Sequence, residues 1–62
     1  MKDEIEQMVD KVGLSKFLFM LAEVCNEKAE HVQVNWQDRN LAKEWTADAR
    51  AIEKIAAKIR TT

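Results

Sequence analysis

Four side chains of unlike chemistry, Cys25, Lys28, Trp45 and Asp48, fall on the apolar faces of two predicted helices in a 62-residue chain. A thiol beside a base could act as a nucleophile, and an ammonium beside a carboxylate could bind or position a ligand. The spacing argues for a quieter role. Lys28 can lay its stem over the Trp45 ring while its ammonium reaches Asp48. Such a polar core layer costs stability relative to an apolar one but sets register or oligomeric state. The only histidine, His31, lies six residues after Cys25, about 9 Å along a helix axis and rotated away from it. A Cys–His dyad is therefore not expected. Neither paired carboxylates nor a nucleophile–base pair stand at workable spacing, so the chain is expected not to be an enzyme.

His31 and Glu27 stand four apart with Glu30 beside them, a weak candidate metal set that two copies could bring together. The Glu-x-x-His spacing of di-iron bundles is absent, since Lys28 occupies the glutamate position. The simpler expectation is a histidine on a helix flank, favourable near the C-terminus when protonated. No metal and no cofactor are expected.

Charge is segregated more clearly than it is paired. Arg39, Lys43, Arg50, Lys54 and Lys58 gather on the outward face of one segment, and Glu23, Glu27 and Glu30 on that of another. Like charges four residues apart each cost an isolated helix about 0.2–0.5 kcal/mol. The basic stripe, about 28 Å long at helical rise, could follow nucleic-acid phosphates, meet an acidic protein surface, or simply be solvated. No aromatic or asparagine is interleaved to read bases, and the chain is acidic overall, with a net charge of −1. Nucleic acid is the second choice of partner. Phe19, Met20 and Trp36 project off the main apolar stripes and are the candidate partner contacts. Trp36 is also expected to cap the open end of the helical pair against Val32, Val34 and Leu41.

The elements that must position these groups follow from composition and period. The mass is 7.2 kDa, which allows a single domain, residues 1–62, with a core too small to be more than marginal alone. Hydrophobic residues at 47% and charged residues at 34% exclude a disordered composition. One glycine and no proline disfavour turn-rich β folds and a glycine-rich phosphate loop. One cysteine rules out an intramolecular disulfide and fits a reducing compartment. The longest apolar run, Phe17 to Ala22, is far short of the roughly 20 residues of a membrane span. The polar start, Met1-Lys2-Asp3-Glu4, does not read as a signal peptide. A cytoplasmic protein is expected.

Apolar residues recur at helical spacing in three segments, so the predicted fold is all-α, with helices at about 3–12, 15–34 and 38–60. In the first, Ile5, Met8, Val9 and Val12 share a face, and Gly13 suits the left-handed position that ends it. The second is expected to be capped by Ser15, with Leu14 and Phe19 as a hydrophobic staple. Its stripe is Leu14, Phe17, Leu18, Leu21, Val24, Cys25, Ala29 and Val32. Asn35 is expected to end it and Asp38 to cap the third, whose stripe is Leu41, Trp45, Ala49, Ile52, Ile55, Ala56 and Ile59. Val32 to Trp36 also alternates like a strand, but a lone strand has nothing to pair with.

A short connection makes the second and third helices an antiparallel hairpin. Residues equidistant from the turn pair as Val32–Leu41, Lys28–Trp45, Cys25–Asp48, Leu21–Ile52, Leu18–Ile55 and Leu14–Ile59. Four of those layers are purely apolar. The first helix, about half as long, covers only part of the open groove. A homodimer is therefore expected, a helical bundle with the first helix as an arm or cap.

Cys25-Asn26-Glu27-Lys28-Ala29-Glu30-His31, then Asn35-Trp36-Gln37-Asp38, then Ala42 and Trp45, form a pattern C-x-x-K-A-E-H, N-W-Q-D, A-x-x-W over about a third of the chain. In this the chain resembles a group of small uncharacterised helical proteins of bacteria and phages. The resemblance implies that the hairpin turn and its flanks are the distinctive region, and it implies no catalytic role. The expected function is that of a small protein–protein interaction module: an adaptor, regulator or phage-type inhibitor.

Overall fold

A computed structural model describes residues 1–59. The chain is all-α, with helices α1 (Lys2–Val12), α2 (Leu14–His31) and α3 (Arg39–Lys58). A single π-helical turn, Val32–Trp36, continues α2 into the connection. The expected end of the third helix at Arg60 lies outside the described residues. Ile59 has already left helical geometry, with φ −82° and ψ 121°.

Gly13 separates α1 from α2 at φ 89° and ψ 154°, a region where a β-carbon would clash. Its N–H closes α1 on the Val9 carbonyl. Asp3 and Glu4 in the first turn and Lys11 in the last both favour the helix dipole. Ser15 is not the cap of α2, because the helix begins one residue earlier, at Leu14. The Ser15 hydroxyl instead donates to the Ala56 carbonyl at 3.1 Å, joining the start of α2 to the end of α3. Leu14 is thereby a first-turn helical residue, so the expected staple with Phe19 does not form, and both side chains are left more than a third exposed.

The hairpin of α2 and α3 is present, and Cys25, Ala29, Val32, Ala49 and Ala56 of the expected stripes are buried, but the register and the seam's centre differ from expectation. The fully buried residues are small: Ala22, Cys25, Ala29, Ala42, Ala49 and Ala56, with Val32 near the turn. Ser15 meets Ala56, and Ala22 packs with Ala49 and Cys25 in one cluster covered by Trp45 and Ile52. Seven-residue steps from these contacts place Ala29 opposite Ala42. Two rows of small residues therefore face each other, Ser15–Ala22–Ala29 and Ala42–Ala49–Ala56. Relative to the expected pairs the register is displaced by two residues. The physical reason is steric. Small side chains in every seventh position let the two backbones approach closely, which maximises dispersion contacts along the seam.

Turning those rows inward turns the large apolar residues to one side. Leu14, Leu21, Val24 and Ile55 are 37%, 40%, 45% and 58% exposed. Helix α1 packs on α2 alone and does not reach α3. It flanks the hairpin instead of closing the groove, and Ile5 and Met8 stay partly exposed. The Cα trace spans 38 × 25 × 13 Å, a slab, with a radius of gyration of 13.2 Å. A compact chain of this length would have about 10.6 Å.

Candidate functional site: an apolar hairpin face with a polar opposite flank

Three surfaces carry the residues singled out from the sequence. The first is the side of the hairpin bearing Leu14, Leu21, Val24 and Ile55. Lys28 lies seven residues after Leu21, and Asp48 lies midway between Leu41 and Ile55, so both sit in these same rows. Both are exposed, and no charged residue is buried among the described residues. The expected polar core layer is thus not in the core. Its Cys25 is buried at 6% accessibility and its Trp45 packs beside it, while Lys28 and Asp48 stand at the rim of the apolar face. The alanine seam leaves no room between the helices for an ammonium–carboxylate pair, and such a pair keeps its hydration outside it.

The second surface is the hairpin tip. Gln37, not Asn35, takes the left-handed conformation, at φ 53° and ψ 32°. The Asp38 N–H reaches back to the Val32 carbonyl at 3.5 Å. The Asp38 carboxylate accepts from the Leu41 N–H at 3.0 Å and caps α3 as its sequence position predicts. Asn35 is otherwise engaged: its amide donates to the His31 carbonyl at 3.1 Å and meets His31 Nδ1 at 3.0 Å. His31 and Glu27 are both exposed and border the same shallow depressions. No group of three or more His, Cys, Asp or Glu side chains is placed to hold a metal ion among the described residues.

Trp36 does not cap the hairpin. It is 69% exposed, and Val34 beside it is 68% exposed. In regular α-helical geometry Trp36 would follow Ala29 by seven residues and continue the small row, where an indole cannot fit. The π turn, with its wider winding, carries the ring out of that line.

The third surface is the flank opposite the apolar face. Arg39, Lys43 and Arg50 line a concavity of about 460 Å³ together with Gln33, Ala42, Thr46 and Ala47. No carboxylate lines it. Thr46 points its hydroxyl back to the Ala42 carbonyl at 3.0 Å. Lys54 and Lys58 continue the cationic row along α3, all of it exposed. Of the remaining contact candidates, Phe19 is 42% exposed and Met20 is half-buried.

Sequence reasoning missed the small-residue seam, although its signal was present as alanines at seven-residue spacing on both helices. No helix among the described residues is long and apolar enough to cross a membrane. No family model, curated protein or solved structure matches the chain.

Proposed function

We propose that the chain is a small non-enzymatic protein–protein interaction module, an adaptor, regulator or phage-type inhibitor that works as a helical assembly in the cytoplasm. The observation that carries this reading is the apolar row Leu14, Leu21, Val24 and Ile55, left half-exposed on one side of a hairpin. Exposed apolar residues arranged contiguously along two helices mark a contact surface for another helical element. Trp36 and Val34 at the tip offer a second apolar anchor, separate from that row. The test is comparative capture from a cell lysate. Proteins retained by the tagged wild type should be lost with Leu21→Glu and kept with Arg50→Glu/Lys54→Glu. Identical retention by both variants speaks against the apolar row as the contact.

A nucleic-acid-binding regulator is the second reading, favoured by the concavity in which three cations meet no carboxylate. Its signature is binding that weakens steeply as salt rises and is reduced by Arg39→Gln or Lys43→Gln. Absence of a mobility shift at low salt removes it.

A further inference from the structure

We infer that the occupant of the apolar hairpin face is a second copy of this chain, laid on it face to face with the twofold axis parallel to the hairpin. The inference rests on reading that face as an interaction surface and names what covers it. Two observations support it: the exposed area calls for a covering partner, and the charge arrangement favours a second copy.

The first is area. A folded monomer of 7.2 kDa exposes about 4,100 Å². This chain exposes 5282 Å², an excess of roughly 1,200 Å². A stable dimer of standard size buries about 800 Å² per partner, and obligate homodimers bury more. The surplus, shared among the hairpin face, α1 and the tip, is large enough to include the surface that one protomer of a stable dimer covers.

The second is charge. The face carries one cation, Lys28, on α2 and two anions, Glu44 and Asp48, four residues apart on α3. With its cation on α2 and its anions on α3, the surface is complementary to itself when α2 of one copy covers α3 of the other. With the twofold axis along the hairpin, α2 of one protomer covers α3 of its partner. Lys28 then faces the partner's Glu44 and Asp48, and the arrangement occurs twice. In the register set by Ser15 and Ala56, Glu44 stands one position from Lys28 along the axis and Asp48 five, about 1.5 and 7.5 Å. The four-carbon lysine stem and the carboxylate arm together span either offset. Leu14, Leu21, Val24 and Ile55 become the interior of a four-helix bundle, while the cationic flank and Trp36 remain outside it.

The experiment is sedimentation equilibrium on the full chain, with helicity followed by circular dichroism. Wild type should sediment at twice 7.2 kDa. Leu21→Glu should weaken self-association at least about tenfold. Lys28→Glu and the double variant Glu44→Lys/Asp48→Lys should each weaken it alone, because each lines up like charges across the axis. An equimolar mixture of those two variants should recover the dimer mass, since each then supplies the charge its partner lacks. A pairing within one chain cannot be rescued by mixing. A wild-type monomer at high micromolar concentration overturns the inference. So does a dimer whose mass survives Leu21→Glu, or a mixture that stays monomeric. Where wild type is monomeric but Leu21→Glu still abolishes capture from lysate, the interaction surface stands and only its proposed occupant falls.

Discussion

Ala49 has no accessible surface, and Ala56 has none either. At both positions the methyl group fills the space between two close backbones, so a larger side chain must push the helices apart. Ala49→Leu is expected to destabilise the fold by about 1–3 kcal/mol, the usual cost of overpacking a tight seam. Urea unfolding read by far-ultraviolet circular dichroism measures it. A seam tolerant of leucine would mean that the small residues do not set the helix separation. Ser15→Ala keeps the size of the side chain and removes only the bond to the Ala56 carbonyl. That bond is partly buried, and its loss is expected to cost about 0.5–1.5 kcal/mol in the same measurement. Cys25 belongs to this scale as well. Buried among Ala22, Ala49, Trp45 and Ile52, it behaves as a small hydrophobe. Its thiol should react with a bulky disulfide reagent only as the fold opens.

The boundaries between elements were legible because local chemistry decides them. Gly13 is the only residue that can take its backbone angles freely, and Asp38 offers a carboxylate to the first turn of α3. The end of α2 was not legible in the same way. Asn35 is a common left-handed residue, but here its amide is held by His31, and the left-handed conformation passes to Gln37. Nothing local to Gln37 announces this. The need arises from tertiary packing, which bars Trp36 from the alanine row and winds the chain into a π turn. The faces of α2 and α3 were legible in part: Cys25, Ala29, Val32, Ala49 and Ala56 of the expected stripes are buried, while Leu14, Leu21, Val24 and Ile55 are not, for a related reason. Large apolar residues mark what is buried somewhere, without saying whether the cover comes from the same chain. The seven-residue alanine spacing was the signal for the partner within the chain, and weighting side chains by hydrophobicity alone hides it. A prediction at this scale follows from the φ of 53° at Gln37. Gln37→Gly relieves the left-handed strain and should stabilise the hairpin by about 0.5–1 kcal/mol. Gln37→Val should do the opposite, and thermal unfolding midpoints rank the three.

At the scale of the whole molecule, the alanine seam and the exposed leucine row are one design. A hairpin held together by small residues gains little apolar burial from its own packing, since an alanine methyl removes far less area from water than a leucine side chain. Conformational entropy must still be offset, and a 62-residue chain has little margin. Leu14, Leu21, Val24 and Ile55, which could supply part of the missing burial, stand on one side of the hairpin, in a chain 13 Å across its shortest dimension. Folding and association are then expected to be coupled, and coupled systems have a thermodynamic signature independent of any structural probe. For a folded dimer that unfolds to two chains, each tenfold rise in protein concentration adds about 1.4 kcal/mol to stability per dimer. The wild-type unfolding midpoint should therefore climb with concentration. Leu21→Glu should lower the midpoint and abolish its dependence on concentration. Ile55→Ala, at a side chain 58% exposed in the single chain, separates the two cases most sharply. If the chain folds alone, that truncation costs no more than a surface substitution, within about 0.5 kcal/mol. If the face is interior to a dimer, each dimer loses two isoleucines from its core, and the cost rises to about 2–5 kcal/mol per site. A midpoint that is flat with concentration, together with a nearly neutral Ile55→Ala, would identify a self-sufficient monomer whose apolar face serves another protein.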